Sequence, residues 1–370
     1  MPLLDQTTLP VYARGCAVLG SGGGGGIEVA LAAALQAVDD HGPVRVVQPE
    51  DLTAAALVMP CGLIGSPEVV TERIGGDTAP AILRDTLEGL LGAPVAALMS
   101  SEIGGTNGCL AAAWAARLGL PLIDADGMGR AFPGMNQNAM EVAGLSPTPC
   151  VLTDERGRTV VLDHIDGRWL ERLARGVLDA FGGQATTCEY PLRAGQVRHA
   201  AVPGSVTRAL AVGAALAGGV PDVPPEGLTR LITGKIAAVE RTVEPGPGAP
   251  GPGGGRPRTP PAGPPGEHSA WATPGATTAL VEGLGADTGR LLRLRARSEY
   301  LIAHEDGRPR AAVPDIIAVL DSRGAAAIPV ERLRYGLRVS VLTLPCAPVW
   351  NTPAGRRLCG PRVFGLGEPG

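Results

Sequence analysis

Between residues 14 and 126 the chain alternates short strand-like runs with alanine-rich runs at helical spacing, and this constrains the fold more than any other feature. Residues 14–20 (RGCAVLG) read as a strand, 21–26 (SGGGGG) as a loop, 27–40 (IEVALAAALQAVDD) as a helix and 44–49 (VRVVQP) as a second strand. An apolar segment over 55–64, a helix over 79–91, a strand over 94–99 and a helix over 110–119 follow, then a strand leading into Asp124. Such alternation predicts an α/β layer with a largely parallel sheet. In sheets of this kind functional groups collect at the carboxyl ends of the strands. The glycine loop, Glu102 and Asp124 all fall there on this reading.

From about residue 150 the texture changes. Residues 151–167 (VLTDERGRTVVLDHIDG) read as a hairpin with turns at 155–157 and 166–167, followed by helices over 168–181 and about 205–217. Residues 228–243 and 290–345 then alternate in strand fashion. A chain of 370 residues exceeds what one core usually holds. We therefore expect an α/β N-terminal domain over 1–165 and a mostly β (α+β) C-terminal domain over 166–370. The latter contains a Pro/Gly-rich stretch at about 244–270 that reads as a disordered insertion, because it carries too little apolar surface to offset its ordering entropy.

Composition excludes several classes of partner. Net charge is -4, Lys235 is the sole lysine and aromatics are 3%, so neither a basic nucleic-acid surface nor a stacking platform is expected. No apolar run reaches membrane-spanning length, and the first residues lack the basic and apolar regions of a signal peptide. The seven cysteines are scattered without CxxC spacing, as expected of reduced thiols in a cytoplasmic protein.

The densest chemistry lies in Glu102-Ile-Gly-Gly-Thr-Asn-Gly-Cys109 and in Leu122-Ile-Asp-Ala-Asp-Gly-Met-Gly-Arg-Ala-Phe-Pro133. These segments place Glu102, Asp124, Asp126, Thr106, Asn107 and Arg130 on turns at the two ends of the helix expected over 110–119. Carboxylates can move protons and arginine can hold a planar anion. The plainer alternative is that Asp124 and Asp126 cap turns and Arg130 pairs with one of them.

Gly20, Gly22 and Gly25 match GxGxxG, and Glu50 or Asp51 could stand as the acid after the next strand. A nucleotide-dependent oxidoreductase is thus one alternative, although five consecutive glycines satisfy almost any glycine pattern. The backbone of Gly22, Gly23, Gly24 and Gly25 could equally bind an anion, or simply turn. Cys61 and Cys109 read as buried apolar residues rather than nucleophiles, since no histidine is tied to either. Zinc would need Glu102, Asp124, Asp126 and one of His164 or His199, which form no clustered ligand motif. The expectation is no metal and no cofactor.

In order along the chain, GSGGGGG, EIGGTNG, LPLIDADGMGRAFP, AAVPGSVTRAL, GKIAAVER, SEYLIA, VPDIIAVLD, RYGLRVSVL and CGPRVFG are similar to segments of the S-methyl-thiohydantoin desulfurase family. The resemblance covers about 10–366, apart from the Pro/Gly stretch. It implies a two-domain cytoplasmic protein that hydrolyses an S-methylated thiohydantoin to a hydantoin and methanethiol. The family loop commonly carries Asp after its glycines, where this chain has Gly26-Ile27-Glu28.

For such a reaction we expect Asp124 or Asp126 to be the base that activates water and Glu102 the proton donor. Thr106 and Asn107 would orient the substrate, Arg130 would hold its carboxylate, and the glycine loop would donate amide hydrogens to developing negative charge. A non-catalytic partner subunit of a hydantoinase-like enzyme is the alternative from another class. A homo-oligomer is compatible with the composition.

Overall fold

The computed structural model describes residues 2–65, 69, 72–73, 76–221, 227–242 and 275–366. The Pro/Gly stretch at about 244–270 lies outside the described residues. The chain forms two sheets. The first has a parallel centre, in which Leu57–Gly65, Val95–Ser100, Leu122–Asp126 and Val44–Val47 lie side by side. On the other side of Leu57–Gly65 the antiparallel strands Gln184–Cys188, Cys150–Thr153 and Thr159–Leu162 extend the sheet. Three short strands complete it, Leu3–Leu4 on Val44–Val47, Leu192–Arg193 on Leu57–Gly65 and Val202–Pro203 on Leu122–Asp126. The chain beyond residue 165 therefore first adds strands to this sheet before it builds the second.

The second sheet is antiparallel throughout. Its order is Arg308–Ala312, Tyr300–Glu305, Leu291–Ala296, Thr277–Gly283, Thr229–Arg241, Arg338–Leu344 and Ile316–Asp321. Period-two burial marks its strands: in Leu291–Ala296 every second residue is exposed while Leu292, Leu294 and Ala296 enter the core. The sequence reading found most of this sheet and missed Thr277–Gly283, where Thr and Gly dilute the apolar alternation.

Several expectations about the local structure need correction. Residues 14–20 form no strand but belong to the helix Leu9–Leu19, with Pro10 in its first turn and Leu9, Tyr12, Ala13, Cys16 and Leu19 buried at helical spacing. The glycine loop thus joins two helices, Leu9–Leu19 and Glu28–His41. The strand–loop–helix context that a dinucleotide fingerprint requires is missing. Nor are Glu50 and Asp51 free for a ribose: Asp51 accepts from Gln48 N, and Glu50 accepts from Arg198 Nε at 2.6 Å. The helix expected over 110–119 begins four residues earlier, as Thr106–Leu118. Asp124 and Asp126 sit within a strand rather than on a turn after it. The supposed turn at 166–167 is instead a helix start, where Asp166 Oδ1 accepts from Arg168 N and Trp169 N.

Small residues explain how a chain so poor in aromatics packs tightly. The helix Leu9–Leu19 crosses Ser205–Ala215 so closely that a Cβ on Gly15 would fall 1.8 Å from Ala209 O, and one on Gly213 would fall 1.8 Å from Val11 O. Glu28–His41 packs on Thr106–Leu118, and Ala34 and Ala37 of the first and Ala111, Ala112 and Ala115 of the second enter one core. Among the described residues no helix is long and apolar enough to cross a membrane.

Candidate functional site

The strand Val95–Ser100 ends beside Leu122–Asp126, with Ser100 opposite Asp126. The chain then turns through Glu102 and Gly105, whose φ of 63° starts the helix Thr106–Leu118. Ser100 Oγ donates to Glu102 O at 2.5 Å, and Ile103 N donates to Asp126 Oδ2 at 2.9 Å. These bonds point the Glu102 side chain toward the glycine loop. Asn107, on the first helical turn, donates to Glu102 Oε2 at 3.1 Å and accepts from Leu63 N at 2.8 Å.

The glycine loop wraps around this end of the sheet. Thr106 holds it through its N–H to Gly24 O and its hydroxyl to Gly26 O, each at 2.8 Å. The second sheet grips its other end. Ser21 Oγ donates to Ile317 O at 3.0 Å and accepts from Ile317 N at 3.1 Å, while Tyr300 N donates to Ser21 O and Val330 N to Gly22 O. Glycine is required by what the loop touches. A Cβ on Gly23 would lie 2.5 Å from Glu299 Oε1, and one on Gly24, at φ 73°, would lie 3.1 Å from Glu102 Oε1.

Glu299 is the group that sequence reasoning missed. It lies before the strand Tyr300–Glu305 of the second sheet, 197 positions away in sequence from Glu102 yet against the same loop. Glu102 and Glu299 are 8% and 3% exposed. Burial raises the Glu299 carboxyl to a pKa of about 7, against the pull of Arg130. Burial, then the charge of Glu299, push Glu102 well above the usual carboxylate range, and Oε1 of Glu102 has no hydrogen-bond partner. The signal in sequence was only a glutamate in SEYLIA, a motif without an obvious chemical pattern.

Arg130 is 1% exposed and faces this pair electrostatically, yet its hydrogen bonds go to backbone carbonyls of Ala131, Pro314 and Asp315. Its guanidinium lies 4.8 Å from the Phe132 ring centroid, and Nη2 has no hydrogen-bond partner. It thus fixes the two sheets together and supplies positive charge, rather than standing open to a substrate carboxylate.

The two aspartates do different things. Asp124 holds the start of the helix Ser205–Ala215: Oδ1 accepts from Thr207 N at 3.0 Å, and Oδ2 accepts from Thr207 Oγ1 at 2.6 Å and Gln48 Nε2 at 3.1 Å. Both oxygens are engaged, the capping alternative weighed from sequence. Asp126 Oδ2 gathers the N–H groups of Ile103, Met128 and Gly129 at 2.8–2.9 Å. Its Oδ1 is buried without a partner. Burial raises Asp126 to about 6, opposed by those three amides and by the neighbouring Ser205 hydroxyl.

Structure thus brings together Glu102, Asp126, Thr106, Asn107, Arg130 and Gly22–Gly25, and leaves Asp124 bonded on the helix side. His164 and His199 are exposed and do not join the aspartates. Among the described residues no cluster of three or more His, Cys, Asp or Glu is placed to share a metal ion. Cys61, Cys150 and Cys188 surround buried Glu189, and burial raises all three thiols, which leaves them poor nucleophiles.

Family models match the chain over its whole length, an S-Me-THD-like N-terminal domain over residues 7–164 and an S-Me-THD-like C-terminal domain over 165–369. The chain belongs to the S-Me-THD-like family. The two sheets seen here correspond to a mixed N-terminal sheet with helices and a mostly antiparallel C-terminal sheet, as the sequence led us to expect. No curated protein matches the chain. Among solved structures, a protein from Chromobacterium violaceum shares this fold with a TM-score of 0.73 and 22% identity, covering 100% of this chain and 98% of that one.

Proposed function

We propose that this S-Me-THD-like protein hydrolyses an S-methylated thiohydantoin or a closely related five-membered ring at the Glu102–Glu299 pair. The supporting observation is that two buried carboxyls, one from each sheet, pack against one glycine loop that approaches them too closely to carry side chains. Their environments differ, as an acid–base pair requires. Glu299, near 7, is substantially ionised at neutral pH, whereas Glu102 is held protonated by burial and by its neighbour's charge.

In the proposed reaction Glu299 takes a proton from water as its oxygen attacks the ring carbon bearing sulfur. Glu102 gives its proton to the ring nitrogen as that carbon becomes tetrahedral. The carbon–sulfur bond then breaks, the proton held by Glu299 passes to the departing thiolate, and the oxygen's remaining proton returns to Glu102. One water is consumed, and one hydantoin and one methanethiol are formed. Asn107 keeps Glu102 pointed at the loop, and Arg130 stabilises the charge on Glu299. Asp126 shapes the adjoining turn through its three amide bonds and stands one step from the reacting pair.

Incubating the protein with a panel of S-methyl thiohydantoins and measuring methanethiol and hydantoin tests this reading. Equal molar release of the two supports it; no release across the panel, or sulfur retained in the ring product, contradicts it.

A further inference from the structure

The two sheets have four outer strands, and three of them are closed to further pairing. Arg308–Ala312 carries Pro309 between two exposed arginines, and proline and charge both keep an edge from pairing. Ile316–Asp321 is covered: Ile328 N donates to Val319 O, Asp321 N donates to Ala326 O, and Ser21 engages Ile317. Leu3–Leu4 offers only two residues. Thr159–Leu162, the fourth, has no proline, no charge and no bulge, and among the described residues no backbone bonds to its outer side. Asp154 N donates to Arg158 O to close the hairpin turn. Counting outward from that pair, Val160 and Leu162 exchange ladder bonds with Leu152 and Cys150, so Thr159 and Val161 turn their N–H and C=O groups away from the sheet. Val161 is 41% exposed, and on the helix Gly167–Phe181, packed beside this strand, Trp169 and Leu173 are 49% and 37% exposed. The two ends of the edge differ in charge. At the turn, Asp154 and Glu155 pair with Arg158 and Arg73 and are turned inward, which leaves Arg156 and Arg158 as the exposed groups. At the far end Asp163 and Asp166 are exposed, with Arg168 and Arg172 following on the helix and Arg172 over the Trp169 ring.

We propose that Thr159–Leu162 pairs antiparallel with the same strand of a second copy of this chain, joining the two ten-stranded sheets edge to edge across a two-fold axis. A two-fold contact uses one patch on both copies, so the patch must complement itself. This edge does so in three ways. Antiparallel pairing gives the outward N–H and C=O groups of Thr159 and Val161 the partners they lack. It brings the exposed Val161 side chains together, with Trp169 and Leu173 flanking the joint. It also sets the Arg156 and Arg158 end of each strand against the Asp163 and Asp166 end of the other, twice. That reversal of charge along the edge favours a second copy over an unrelated strand. An edge left without the usual protections is otherwise a liability to aggregation, and a closed two-fold pairing removes it.

Sedimentation velocity of the full chain, loaded at about 1–100 μM, is the test, and it should show a dimer with a dissociation constant on the order of micromolar. Val161→Pro removes an N–H that faces outward and so costs no ladder bond within the chain. That variant should sediment as a monomer with its melting temperature little changed. Arg156→Glu and Asp163→Arg, each made alone, set like charges against one another at both ends of the joint. Each should raise the dissociation constant roughly tenfold, and the double variant, which reverses both ends, should restore the dimer. A chain that is monomeric throughout this range would leave the edge to a strand of another protein and overturns the proposal. So does a dimer that survives a folded Val161→Pro, or, if that variant does not fold, a dimer that neither charge reversal weakens. Association is read without turnover, so its failure and that of the proposed hydrolysis are distinguishable.

Discussion

Glu102 and Glu299 approach the same glycine loop from different sheets, and the charge of Glu299 is one reason that Glu102 keeps its proton. The first sheet supplies one carboxyl at the end of Val95–Ser100, and the second supplies the other just before Tyr300–Glu305. Ser21 and Gly22 bind the loop to the second sheet, while Thr106 binds it to the first. Neither half of the chain alone holds the pair.

Gly23→Ala should act on the site more than on the fold. Its Cβ would meet the end of the Glu299 side chain, which can shift, so the carboxyl moves off its position. We expect turnover to fall about a hundredfold, the cost of a misplacement near 1 Å, with little change in melting temperature. Gly24→Ala differs, because its φ of 73° and its approach to Gly104 O at 2.8 Å strain the backbone itself. A loss of about 1–3 kcal/mol in chemical denaturation is expected there.

Stability should carry the mark of Glu299. Its pKa is raised from 4.5 to about 7 on folding, so the folded state holds this proton more tightly than the unfolded one. The associated stability is fully present below pH 4.5 and is lost as pH rises through 7. The span is about 3 kcal/mol in order of magnitude. Glu299→Gln should remove this loss, so denaturant midpoints of wild type and variant should diverge between pH 5 and 8, with the variant gaining relative stability at the alkaline end.

Asp124→Ala separates capping from catalysis. Both oxygens of Asp124 hold the start of Ser205–Ala215 and Gln48, so the variant should lose about 1–2 kcal/mol of stability. Its kcat should stay within severalfold of wild type. A loss of turnover comparable to that of Glu102→Gln, in folded protein, would return Asp124 to the reaction.

Trp350 tests how the tail of the chain supports the site. It is 0% exposed, its Nε1 donates to Met128 O at 2.7 Å, and its ring meets Phe132 edge-on at 5.0 Å. Trp350→Ala should cost about 3–5 kcal/mol. Because Phe132 also stacks with Arg130, the same variant should raise KM or lower kcat beyond what unfolding explains.

Much of this was legible in the sequence, and the failures have physical causes. Alternation with period two found most strands of the second sheet, and the turn at 155–157 marked the hairpin, which ends at Leu162 and not at 167. RGCAVLG misled because its apolar residues are compatible with either period over seven positions; only the upstream Leu9 and Tyr12 reveal the helical one. Glu102, Thr106, Asn107 and Arg130 could be grouped from the sequence because they cluster there as well as in space. Glu299 was invisible for the opposite reason: its partners lie in the other sheet. Asp124 and Asp126 look equivalent in sequence, and only the helix start at Thr207 and the amides of 127–129 distinguish them.

The central claim is that Glu102 and Glu299 form the reacting pair. The most direct measurement is the pH dependence of kcat/KM for methanethiol release by wild type, Glu102→Gln and Glu299→Gln. Ionisation of Glu299 should give the wild type an acid limb near pH 7. Each variant should lose about a hundredfold or more, in the range for general acid–base groups, with that limb absent in Glu299→Gln. Either variant keeping turnover within a few-fold of wild type, or the limb persisting without Glu299, would contradict it.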